Sequence, residues 1–263
     1  MGRLCYFSLV FATELKARLR RGDLTLGPMM SFDFWPGYLE IFKAEGMDFV
    51  FLDLEHSAAS LRDVEEICRV GRLIGLPVLL RPEASVYHLI RKYVDMGPAG
   101  LILPWTEQAA QLDAVQDGLF LPPKGKRGPG GPAIFANRGL DRAAWDEVEE
   151  SLCVVMQIES PRGLANLAEL GARDWVDAVM VGPYDLSLNL GRHGQMDHPE
   201  VIEAIDGIHR GAQALGKPCG MVIGMPEQAA FWRARGFHFL VTGEVSGMVR
   251  QRTRQFVETV RAR

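Results

Sequence analysis

No apolar run in the 263-residue chain approaches the roughly 18 residues that a membrane-spanning helix needs. Met1 to Thr13 carries no basic segment followed by a long apolar run, so no export signal is expected and the expected compartment is the cytoplasm. The four cysteines, Cys5, Cys68, Cys153 and Cys219, form no CxxC pair, which argues against zinc and dithiol redox motifs and fits reduced thiols. A long basic stripe is also missing: 29 Lys+Arg against 33 Asp+Glu leave a formal charge of −4. Nucleic-acid and membrane partners are therefore not expected, and small anionic or neutral ligands remain. With 48% hydrophobic and 24% charged residues, the chain has enough apolar material for an ordinary soluble core.

What is present is a rhythm. Short runs rich in Val, Ile, Leu and Met recur, each followed by a stretch of helical period, as in βα units. The expected strands are Thr25–Ser31, Phe49–Asp53, Val78–Arg81, Gly100–Leu103, Val154–Ile158, Ala178–Val181, Gly220–Ile223 and Phe239–Thr242. The expected helices are Tyr38–Glu45, Leu61–Ile74, Tyr87–Met96, Glu107–Leu119, Gly163–Leu170, Glu200–Leu215, Glu227–Arg235 and Met248–Arg261, preceded by a basic helix, Thr13–Arg21, read as a solvated face. Several strands are nearly continuous apolar runs, which suits parallel strands covered on both faces. The expected fold class is α/β, a (β/α)₈ TIM barrel forming one domain over residues 1–263 with an N-terminal helix. That barrel needs one long insertion after its fourth βα helix, the Pro- and Gly-rich loop Leu121–Gly139. Long loops inside compact domains are usually functional.

Polar residues gather at the strands' C-terminal ends: Asp53-Leu54-Glu55-His56, Arg81, Gln157-Ile158-Glu159 and Gly182-Pro183-Tyr184-Asp185. A parallel barrel brings those ends to one mouth, where such barrels place their active sites. Glu159 and Asp185 are 26 positions apart, one βα unit, so they stand on adjacent strand ends and can share one hard cation such as Mg²⁺ or Mn²⁺. The alternative is that each acid merely caps the following helix. His56 suits a general base oriented by a neighbouring carboxylate, or a structural loop histidine. Arg81 can neutralise a carboxylate or a developing enolate oxygen, or serve as a rim ion pair.

On these residues the chain resembles the HpcH/HpaI aldolase family, from about Glu14 to the C-terminus. The matching stretches are DLEH at Asp53–His56, Arg81-Pro82, LPPKGKRG at Leu121–Gly128, QIES at Gln157–Ser160, VGPYDLSLNLG at Val181–Gly191 and HPEV at His198–Val201. The resemblance implies a metal-dependent pyruvate aldolase acting on 4-hydroxy-2-oxo acids. It makes Glu159 and Asp185 the metal ligands, His56 the base-side histidine, Arg81 the enolate-stabilising residue and Asp95 the acidic partner of His56. It also places Gln157 beside the metal and the amides around Tyr184 and Asp185 on the pyruvate carboxylate, and it implies a hexamer with C-terminal helices packed on neighbouring subunits. Three departures fall in the pocket lining. Gly27-Pro28-Met29 stands where many members have GLW, Tyr184 replaces a frequent small residue, and Gly243-Glu244-Val245 replaces a Gly-x-Asp turn.

The expected activity is reversible cleavage of a 2-oxo acid to pyruvate and an aldehyde with Mg²⁺, Mn²⁺ or Co²⁺. No lysine stands at a strand end in the proposed site, which argues against a Schiff-base aldolase. The alternatives are a CoA-thioester lyase of the citrate lyase β or malyl-CoA type, for which no basic groove is evident, and a non-catalytic binding barrel.

Overall fold

The computed structural model describes residues 7–128 and 141–262. Eight parallel strands close in chain order: β1 (Thr25–Met30), β2 (Val50–Asp53), β3 (Val78–Arg81), β4 (Gly100–Leu103), β5 (Cys153–Ile158), β6 (Ala178–Val181), β7 (Cys219–Val222) and β8 (Phe239–Glu244). The helices described are α1 (Phe7–Arg21), α2 (Gly37–Ala44), α3 (Leu61–Ile74), α4 (Tyr87–Asp95), α5 (Ala109–Leu119), α6 (Arg142–Ser151), α7 (Pro161–Gly171), α8 (Pro183–Asn189), α9 (Pro199–Ala214), α10 (Gln228–Arg233) and α11 (Val245–Arg261). The expected (β/α)₈ barrel is the observed fold. Among the described residues no helix is long and apolar enough to cross a membrane.

Successive residues of a strand face opposite sides, so each apolar strand feeds two cores. Phe51, Leu79, Ile102, Val155, Met180 and Val241 fill the barrel interior, while Leu52, Leu80, Leu101, Met156, Val179 and Leu240 pack outward under the helices. Leu15 and Leu19 of α1 join the interior cluster and close the N-terminal end of the barrel. The basic residues of α1 are paired within the chain. Lys16 lies 3.0 Å from Asp177, Arg18 3.0 Å from Asp48 and Arg20 3.3 Å from Asp177. At the seam between β1 and β8 the register slips between Gly27 and Met29, where Pro28 has no N–H to give the ladder.

Two helices go beyond the sequence reading. Helix α6 lies in the insertion before β5, capped by Asp141 accepting from the Ala144 amide at 2.9 Å. Helix α8 begins at Pro183, directly after β6, where the missing proline N–H costs a helix nothing.

The loop Leu121–Gly139 is described only to Gly128, and that part packs against α4 and α6. Leu121 donates to Glu149 at 2.6 Å, the Lys126 carbonyl accepts from Tyr87 at 3.1 Å, and the fully buried Arg127 lies over the Trp145 ring. The rest of the loop lies outside the described residues.

Candidate active site

Alternation along the strands builds the site. The inward series Phe51, Leu79, Val155 and Met180 is continued at the C-terminal rim by Asp53, Arg81, Gln157 and Gly182, with Glu159 two residues beyond Gln157. Asp53 and Arg81 are register partners on adjacent strands. Arg81, 5% exposed, donates from Nε to Asp53 Oδ1 at 2.8 Å and from Nη1 to Gln157 Oε1 at 3.4 Å. Its Nη1 also lies 3.1 Å from Glu55 Oε2, an ion pair whose geometry falls short of a hydrogen bond. Asp53 accepts as well from Ser31 Oγ and the Glu55 amide, each at 3.0 Å. Burial alone would raise its pKa, and these donors, Arg81 foremost, hold it below the ordinary carboxylate range.

Glu159, 2% exposed, is held by both oxygens. Oε1 accepts from the Trp105 amide and Oε2 from Gln157 Nε2, each at 2.7 Å. A Cβ at residue 182 would collide with Glu159 Oε2 and Gln157 Nε2, so the carboxylate reaches this position only because Gly182 has no side chain. Burial pushes the Glu159 carboxyl up to about 8, reinforced by Glu55 and Asp185 and opposed by the Trp105 amide and Arg81. Glu55 is also raised, by burial first. Asp185 sits in the first turn of α8, and Asn189 Nδ2 ties that helix to β5 by donating to the carbonyls of Asp185 at 2.8 Å and Glu159 at 3.2 Å.

Three carboxylates, Asp53, Glu55 and Glu159, thus face one guanidinium, and Asp185 lies near enough to act on Glu55 and Glu159. Glu55 Oε2 is buried without a hydrogen-bond donor. An excess of buried negative charge with an orphaned oxygen is what a divalent cation offsets, and oxygen donors alone suit Mg²⁺ or Mn²⁺. Among the described residues no thiolate ligand is at hand. Cys68, Cys153 and Cys219 are buried, and burial pushes the Cys68 thiol up to about 12 and the other two higher still. Among the described residues no three His, Cys, Asp or Glu side chains are grouped as a ready-made metal site.

The other expected residues divide. The His56 side chain is 59% exposed at the rim, its Nε2 4.0 Å from Glu55 Oε2. Tyr184 is exposed and its ring lies against Gly194. Met29 is half-buried against the interior cluster, at the β1 edge of the mouth. Asp95 stands apart from the other expected residues. It ends α4, at the N-terminal end of the barrel, and accepts from Arg127 Nη2 at 2.6 Å, so within one subunit it does not orient His56. The sequence reading gave no roles to Asp53, Glu55 or Trp105. Alternation from Phe51 marks Asp53 as inward-facing, but nothing in the sequence marks the backbone amide of Trp105.

The model of the HpcH/HpaI aldolase/citrate lyase family matches residues 34–250. The chain belongs to that family. A hydroxypyruvate/pyruvate aldolase of Delftia acidovorans is 34% identical over 249 residues, covering 91% of this chain and 89% of the relative. A 2-keto-3-deoxy-L-rhamnonate aldolase of Escherichia coli is 32% identical over 237 residues, covering 89% and 88%. The crystal structure of an HpcH/HpaI aldolase from Desulfitobacterium hafniense DCB-2 superposes with a TM-score of 0.87 at 26% identity, covering 95% of this chain and 97% of that one. The named relatives are aldolases, and the family match spans every strand-end residue of the site from Asp53 to Asp185.

Proposed function

We propose that this protein is a divalent-metal-dependent aldolase that reversibly cleaves 4-hydroxy-2-oxo acids to pyruvate and an aldehyde. The observation that carries the reading is the buried cluster in which Arg81 and Gln157 converge on Glu159, with Asp185 alongside. Glu159 and Asp185 hold the cation, which when bound supplies Lewis-acid polarisation of the 2-oxo acid. The first-turn amides of α8, which have no intrahelical partner, suit the substrate carboxylate. Arg81, fixed by Asp53, keeps a guanidinium edge toward the cluster and offsets negative charge on the enolate oxygen as the C3–C4 bond breaks. His56 at the rim takes the C4 hydroxyl proton. The test is pyruvate release from a panel of 4-hydroxy-2-oxo acids with added Mg²⁺, Mn²⁺ or Co²⁺. Release from CoA thioesters alone would instead favour the lyase alternative. Reduced, buried thiols fit a cytoplasmic setting.

Two observations support an oligomeric assembly. Helix α11 buries only Val245 and leaves Val249, Phe256, Val257 and Val260 exposed, an apolar face that suits packing on a neighbouring subunit of the expected hexamer. Asp95 and His56 lie at opposite ends of one barrel, so the pairing implied by the family resemblance joins His56 of one subunit to Asp95 of the partner subunit. Mixing inactive His56→Ala and Asp95→Ala proteins through reversible dissociation should then restore activity, to about a quarter of wild type for random pairing. Activity no higher than that of the separate variants would refute the shared site.

A further inference from the structure

Trp105 follows β4 with a φ of +47°, a left-handed backbone that L-residues adopt only where the surroundings enforce it. The surroundings here are specific. Its N–H donates to Glu159 Oε1 at 2.7 Å and its carbonyl accepts from Gln111 Nε2 at 2.7 Å. Gln111 Oε1 in turn accepts from the amides of Glu107 at 2.8 Å and Gln108 at 2.9 Å. One glutamine side chain thus clips the whole turn, and the Thr106 amide anchors it to β5 through the Gln157 carbonyl at 3.1 Å.

Glycine would take this backbone without strain, so the tryptophan is there for its side chain. Two covalent bonds separate the Trp105 nitrogen from its Cβ, so the side chain starts within roughly 6 Å of the Glu159 oxygen that the nitrogen contacts. Trp105 as a residue is 37% exposed, just beyond the C-terminal end of β4. Its indole offers an apolar π-face and a single N–H donor to whatever approaches the carboxylate cluster from solvent.

We propose that Trp105 determines acceptor specificity: its indole walls the aldehyde side of the site and favours aldehydes with an apolar or aromatic face, while its backbone, clipped by Gln111, positions Glu159. This inference rests on the aldolase reading and deepens it. A ligand carboxylate pinned through each oxygen keeps one orientation, and losing such an outer support typically weakens metal binding about 10- to 100-fold.

The experiment uses the full-length protein and first establishes that wild type exchanges the methyl protons of pyruvate with solvent. Absence of exchange in wild type would refute the aldolase reading itself, not the role of Trp105. With wild type active, Trp105→Gly, which relieves the backbone strain, should lower kcat/KM for benzaldehyde relative to glycolaldehyde at least ~10-fold beyond any change in pyruvate exchange, and Trp105→Phe should recover most of that ratio. Gln111→Ala, with the indole in place, should raise the Kd for Mn²⁺ by about 10-fold in calorimetry. An unchanged aldehyde ratio in Trp105→Gly, or a Mn²⁺ Kd in Gln111→Ala within about twofold of wild type, overturns the proposal.

Discussion

Glu159→Gln is expected to lower aldol cleavage by at least ~1,000-fold, about 4 kcal/mol of transition-state stabilisation. The substitution keeps the shape of the side chain and removes one unit of charge and one coordinating oxygen. The fold should survive it. With its carboxyl raised to about 8 by burial and by Glu55 and Asp185, Glu159 is largely protonated at neutral pH without metal, so a neutral amide in its place changes the charge of the metal-free cluster little. The cost is one impaired hydrogen bond, because Glu159 accepts from both Trp105 and Gln157 and an amide can accept on one side only, a loss of about 1 kcal/mol. Thermal melts separate the two effects. Wild type gains stability on adding Mn²⁺, whereas Glu159→Gln melts at a near-wild-type temperature without metal and gains little with it. A Glu159→Gln protein still stabilised by Mn²⁺ and still active would show that Glu159 is not a ligand.

Arg81→Ala should damage both fold and chemistry. Arg81 is the guanidinium that holds Asp53 ionised inside the barrel, and removing it leaves Asp53 and Glu55 as buried carboxylates without their counter-charge. Breaking a buried pair from one side typically costs 3–5 kcal/mol, approximately, and should appear as a lowered denaturant midpoint. Because a poorly folded variant says nothing about catalysis, Arg81→Lys is the informative companion. It keeps the charge but loses the planar fork that reaches Asp53 and Gln157 together. Arg81→Lys should fold and still slow pyruvate proton exchange about 100-fold or more. A folded Arg81→Lys protein exchanging at the wild-type rate would remove Arg81 from its assigned role.

The barrel was legible because parallel strands covered on both faces must be apolar throughout, and runs such as Val78–Arg81 and Ala178–Val181 announce themselves whatever their neighbours do. Strand ends differed by a residue or two, as at β2 and β7, where ladder pairing rather than hydropathy sets the limit. Helix α8 escaped notice because Gly182-Pro183-Tyr184-Asp185 reads equally well as a turn, and only the returning Leu186 amide to the Gly182 carbonyl makes it helical. Glu159, Asp185, Arg81 and Gln157 could be placed together from their strand-end positions, since topology alone brings those ends to one mouth. Asp95 could not be placed so. Its position at the end of a returning helix puts it at the opposite end of the barrel, and Arg127, its partner there, is remote in sequence. Trp105 acts through its backbone amide, which every residue but proline possesses, so composition and spacing carry no trace of it.

The most direct measurement is deuterium uptake into the methyl group of pyruvate, followed by NMR in D₂O with the metal-free protein, with Mn²⁺ or Mg²⁺ restored, and with excess chelator. It needs no aldehyde and so probes enolate formation alone. Uptake that appears only with the divalent ion, disappears on chelation and is lost in Glu159→Gln is the predicted result. Uptake at the same rate after exhaustive chelation, or none under any metal condition, would contradict a metal-dependent pyruvate aldolase.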